Sequence, residues 1–70
     1  MHTEVFEIVV KGTLSLPLIE ALEGFTVTRV EDGNTYLLGE VPDQARLQGV
    51  LAMLADLTVE LISVNRVDQV

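Results

Sequence analysis

His2 is the one histidine of the sequence, and no cysteine accompanies it. Disulfides, thiolate nucleophiles and thiolate zinc sites are therefore excluded. A serine–histidine pair would have to draw on the side chain of the second residue. Ser15 precedes Leu16-Pro17, a setting in which its hydroxyl starts a helix rather than attacking a substrate. Glu31-Asp32 and Asp43 lie beside Gly33 and Pro42, positions of turn and cap chemistry, and their spacing is not that of an EF-hand loop. Tyr36 falls within an apolar run and reads as a packing or interface residue. No H-x-x-x-H, C-x-x-C or glycine-rich phosphate loop occurs. The expectation is no catalytic residue, no bound metal and no cofactor. One segment does suit a small carboxylate: Lys11-Gly12-Thr13-Leu14-Ser15 combines the only lysine, two hydroxyls and the backbone N–H groups leading into a helix.

Seventy residues make a single domain spanning 1–70, and a net charge of −7 sets eleven acidic side chains against four basic ones. That balance opposes binding to nucleic acid or to an anionic membrane, both of which select for positive charge. Apolar residues make up 49% of the chain, too many for a disordered polymer. The N-terminus lacks a basic region followed by an apolar run, and Leu47 to Ile62 is broken by Asp56 and Glu60, so neither a signal peptide nor a membrane span is expected. A cytoplasmic location follows as the default. Domains this small often need disulfides, a metal or a partner subunit to offset the entropy of ordering. Of these, a partner subunit fits this composition.

The elements that carry these residues read off in order. Glu4 to Lys11 is β-branched and aromatic, a strand. Gly12-Thr13 turns the chain, and a short helix capped at Ser15 or Leu16 places Leu18, Ile19 and Leu22 on one side before Gly24 stops it. A second strand from Phe25 to Val30 meets Glu31-Asp32-Gly33-Asn34, and Asp-Gly between alternating runs is a strong hairpin signal. The third strand, Thr35 to Val41, stops at Pro42. Asp43 then caps a helix from Gln44 to Leu57 whose Leu47, Val50, Leu51, Leu54 and Leu57 follow the 3.6-residue period. Gly49 inside that helix suggests close approach to the sheet or to another subunit. A last strand runs from Thr58 to Val67.

The order βαββαβ, with the weak repeat of Val27-Thr28-Arg29-Val30-Glu31 in Val64-Asn65-Arg66-Val67-Asp68, describes an α+β ferredoxin-like sandwich. Such a fold has a four-stranded antiparallel sheet in the order 4-1-3-2 with both helices on one face. Arg29 and Arg66 then lie on edge strands, where a charge discourages unwanted pairing. Alternation assigns Phe6, Ile8, Val10, Phe25, Val27, Leu37, Val41, Ile62 and Val64 to the helix side. It leaves Val5, Glu7, Val9, Lys11, Thr26, Thr28, Tyr36, Leu38, Leu61, Ser63 and Asn65 on the open side. Val5, Val9, Tyr36, Leu38 and Leu61 make that open side apolar enough to expect a homodimer or higher homo-oligomer built on it. A one-residue shift of the third strand would exchange Tyr36 and Leu38 for Leu37 and Val41 and leave the face apolar.

Known users of this fold can be compared residue by residue. A copper chaperone needs C-x-x-C, and an acylphosphatase needs a basic loop where Gly12-Thr13-Leu14-Ser15 stands. An RNA-recognition sheet is opposed by Glu4, Glu7 and Glu40. Leu51-Ala52-Met53-Leu54-Ala55-Asp56-Leu57 leading into Val59-Glu60-Leu61-Ile62-Ser63-Val64 resembles an ACT-type regulatory domain. That resemblance implies dimers and amino-acid binding near the loop after the first strand. Pro42-Asp43-Gln44-Ala45 with Leu47-Gly49-Leu51-Ala52 and the closing Ser63-Val64-Arg66 is similar to a group of short, functionally uncharacterised bacterial proteins with a D-Q-A-x-L-x-G-x-L-A helix. Three functions fit these features. The first is a non-enzymatic homo-oligomeric interaction or regulatory module joined through the open sheet face, with a further protein partner allowed. The second is a sensor using Lys11, Gly12, Thr13 and Ser15 for an amino acid or small carboxylate. The third is a small enzyme of unknown reaction.

Overall fold

The computed structural model describes residues 3–67, so His2 and Asp68 lie outside the described residues. The elements are β1 (Glu4–Lys11), α1 (Leu16–Ala21), β2 (Phe25–Glu31), β3 (Asn34–Val41), α2 (Gln44–Asp56) and β4 (Leu61–Val67). All strand pairs are antiparallel and the sheet order is β2-β3-β1-β4. This is the ferredoxin-like arrangement expected from the alternation of elements.

Local chemistry accounts for the punctuation. Asp32 and Gly33 both have positive φ, 55° and 77°, as a two-residue hairpin turn matched to the strand twist demands. The turn leaves Glu31 paired directly with Asn34. Asp43 caps α2 by accepting a hydrogen bond from the Arg46 N–H at 2.8 Å. Ser15 occupies the N-cap position of α1 but makes no side-chain cap bond.

The end of α2 departs from the sequence expectation. Thr58 takes φ 57°, its N–H is donated to the Ala55 carbonyl, and the Val59 N–H reaches the Leu54 carbonyl. This left-handed cap swings the chain out of the helix. Regular pairing of β4 therefore begins at Leu61, not at Thr58.

The core lies between sheet and helices: Ile8, Val10, Leu22, Phe25, Leu37, Val41, Val50 and Leu54 are buried together. Phe25 lies across Gly39, its partner on β3, and the ring occupies the space a Cβ there would need. Gly49 is different. A Cβ built on it meets nothing within 4 Å, so this glycine does not serve close packing of α2 on the sheet.

Both edge strands carry a bulge, and the bulges revise the faces read from alternation. On β2, Val27 pairs with Leu37 and Arg29 with Tyr36, leaving Thr28 as the extra residue. On β4, Ser63 pairs with Val9 and Leu61 with Val10, leaving Ile62 extra. Residues directly opposite one another share a face. Arg29 therefore joins the open side in place of Thr28. Leu61 falls in phase with Val10, a core residue, on the helix side rather than the open one.

Candidate interaction surface

The open side of the sheet is a small grid that the register defines. Along β1, Val5 is flanked by Glu40 and Val67, Glu7 by Leu38 and Asn65, and Val9 by Tyr36 and Ser63. β2 extends the outer rows with Thr26 beside Leu38 and Arg29 beside Tyr36. Apolar groups thus run through Val67, Val5, Leu38, Tyr36 and Val9, with the Glu7 carboxylate among them. Of the residues expected here from the sequence, Val5, Val9, Tyr36 and Leu38 are brought together and Leu61 is not.

The face is partly finished by its own side chains. Val9 is only 5% exposed although no helix covers it, and Val5, Tyr36 and Leu38 are half-buried. The Arg29 guanidinium sits 4.1 Å from the centre of the Tyr36 ring, within range of a cation–π contact. Thr26 and Thr28 turn their hydroxyls to the Leu38 and Tyr36 carbonyls. Sequence reasoning missed Arg29 and Val67 as face residues. It also left Glu40 unplaced, though Glu40 stands two positions from Leu38 and period two alone assigns it. Arg29 could be placed only by knowing the bulge.

In the loop expected to bind a carboxylate, the backbone groups of Lys11 and Gly12 are hydrogen-bonded within the chain. The Gly12 N–H is donated to the Gly33 carbonyl, and the Gly12 carbonyl accepts from the Thr35 hydroxyl at 2.6 Å. Lys11 donates its N–H to Glu60 at 2.9 Å. These bonds tie the end of β1 to the β2–β3 hairpin and to the start of β4. Thr13 and Ser15 stay exposed nearby, and α1, at six residues, offers a weak dipole.

Among the described residues, hollows open on the helix side. One, of about 380 Å³, opens between the start of β1 and the start of α2, over Phe6, Val41 and Leu47. Its carboxylates are engaged: Glu4 pairs with Arg66 at 3.4 Å and Asp43 with the helix N-terminus. Another, of about 240 Å³, runs between the helices beside Gly49 and is rimmed by the Arg46–Glu23 ion pair. Among the described residues, no three His, Asp or Glu side chains gather closely enough to hold a metal ion. No helix among them is long and apolar enough to cross a membrane.

No curated protein and no solved structure gives a match to this chain. A family profile does match, over residues 5–65, which includes all of α1, β2, β3 and α2 and most of β1 and β4. The chain belongs to the family described as domain of unknown function DUF8691.

Proposed function

We propose that this chain is a non-enzymatic interaction module that works as an assembly of identical copies, meeting through the open face of the sheet. The observation that carries the reading is the run of Val5, Val9, Tyr36 and Leu38 on the side that neither helix covers. Dispersal of the reactive side chains supports the non-enzymatic part. Ser15 stands at the start of α1, Tyr36 lies under Arg29 on the sheet, and Asp43 is engaged as a cap. Catalysis needs such groups to converge. The sensor reading draws less support, because the backbone groups of Gly12 are already bonded within the chain.

Four strands about 4.8 Å apart, each about eight residues long, present a face of roughly 19 by 26 Å. That lies at the small end of stable interfaces, so dissociation in the micromolar range is expected. Sedimentation equilibrium between about 2 and 200 µM tests the reading. A concentration-dependent dimer is expected, and Leu38→Glu should abolish it while leaving the far-UV circular dichroism unchanged. A chain that stays monomeric throughout that range overturns the proposal.

A further inference from the structure

Glu7 and Lys11 lie on the same face of β1, two positions either side of Val9. Four residues of strand separate them by roughly 13 Å, too far for an ion pair. The ion pairs of the described residues use Arg46 with Glu23 and Arg66 with Glu4, so neither Glu7 nor Lys11 takes part in one. Arg29, the other cation on this face, is held over its own Tyr36 ring. Glu7 sits in register between Leu38 and Asn65. Covering this face with another protein removes water from that carboxylate, which is costly unless a cation meets it.

Symmetry restricts how a second copy could supply one. With the two-fold axis parallel to the strands and between β1 and β3, Glu7 faces Leu38 of the other copy and gains no cation. With the axis across the strands and midway between Glu7 and Val9, Glu7 faces Val9. With the axis across the strands at Val9, each Glu7 faces Lys11 of the other copy, and Val9 and Tyr36 meet their symmetry mates at the centre.

Resting on the reading that copies join through the open face, we propose that they stack with β1 antiparallel to β1 about an axis at Val9, paired by Glu7 to Lys11 twice. Packed sheets lie about 10 Å apart and within about 30° of alignment, a gap that extended Glu and Lys side chains span together. For Tyr36 to meet its mate, the Arg29 guanidinium, which sits against that ring, must swing toward the β2 edge, where solvent screens it from the symmetry-related Arg29. The spacing Glu7-x-Val9-x-Lys11 is self-complementary under this operation, which is what an isologous interface requires.

Charge reversal tests it. Glu7→Lys alone sets Lys against Lys11 at both ends, and Lys11→Glu alone sets Glu against Glu7. Each is expected to weaken self-association by on the order of 100-fold. An equimolar mixture of the two variants restores both attractive pairs and should form heterodimers, read by native mass spectrometry. If wild type dimerises but either reversed chain dimerises equally well, or the mixture stays monomeric, the register is overturned while the open-face reading stands or falls by Leu38→Glu. If wild type is monomeric, both fall. Should a reversed chain fail to fold, Glu7→Gln and Lys11→Gln form a double-mutant cycle. A coupling of threefold or more in dissociation constant supports the pairing, and additivity overturns it.

Discussion

Replacing Gly39 by Ala adds one methyl group at the most crowded backbone position of the sheet. The new Cβ would fall inside van der Waals contact with the Gly24 carbonyl oxygen and 2.7 Å from Cγ and Cδ2 of Phe25. Carbon atoms rest comfortably about 3.5–4.0 Å apart, so the ring must retreat by about 1 Å. Phe25 is 5% exposed and part of the core, and the carbonyl belongs to the backbone, so neither obstacle moves cheaply. Overpacking a full core costs about 1–3 kcal/mol, and displacing the Gly24 peptide places this site at the upper end, about 3 kcal/mol. A domain of this size has total stability of roughly 4–10 kcal/mol, and the melting temperature should fall by about 12–24 °C. Urea unfolding followed by circular dichroism measures the loss, with the denaturant slope unchanged. Part of the loss should return when Phe25→Leu accompanies Gly39→Ala, since the smaller side chain vacates the contact. A cost below about 1 kcal/mol, or strict additivity of the pair, would refute the argument that the ring lies across Gly39.

Gly49→Ala makes the same chemical change with the opposite sign expected. No atom stands within 4 Å of the added Cβ, so the helix should gain up to about 1 kcal/mol, and destabilisation in urea would show that this face is covered. Thr58→Gly relieves a β-branched residue at φ 57°. After the entropy of the added glycine, a gain of about 0.5 kcal/mol is expected, and a loss of similar size would contradict the cap geometry. Thr35→Val removes a hydroxyl, 1% exposed as a residue, that donates to the Gly12 carbonyl. The unfolding free energy should drop by about 1–2 kcal/mol, with faster amide exchange at Gly12, and unchanged exchange there would disprove the tie.

What was legible from the sequence was local. The Asp32-Gly33 turn, the Asp43 cap and the period-two run in β1 each depend on a few neighbouring residues and match the structure. The face of Tyr36 and Leu38, left open by the sequence, is fixed by the pairing of β3 with β1. The edge strands were harder because a bulge leaves the residue types unchanged while shifting every side chain beyond it. Phe25-Thr26-Val27-Thr28-Arg29 alternates well on paper, yet Thr28 is the inserted residue and Arg29 reaches Tyr36. The same effect moved Leu61 to the helix side. The onset of β4 was misjudged by three residues because Thr58 adopts a conformation usually left to glycine. The role of Gly39 was invisible for another reason: the ring that fills its place comes from β2, fourteen positions earlier.

These corrections narrow the candidate surface rather than abolish it. The central strands β1 and β3 contribute Val5, Val9, Tyr36 and Leu38, and both are paired on each side, so their register is over-determined by two neighbours apiece. Errors fell on β2 and β4, which have one neighbour each and can accept an extra residue. The same asymmetry bears on assembly. A surface used for self-recognition must repeat from copy to copy, and a doubly paired strand is the part of this sheet least free to slip. Glu7, Val9 and Lys11 all stand on such a strand. The exposed apolar groups Leu61 and Ile62, at 44% and 46%, stand at a bulge on an edge, where the backbone can adjust. The pairing proposed for Glu7 and Lys11 would need a rigid strand, and β1, paired on both sides, is one.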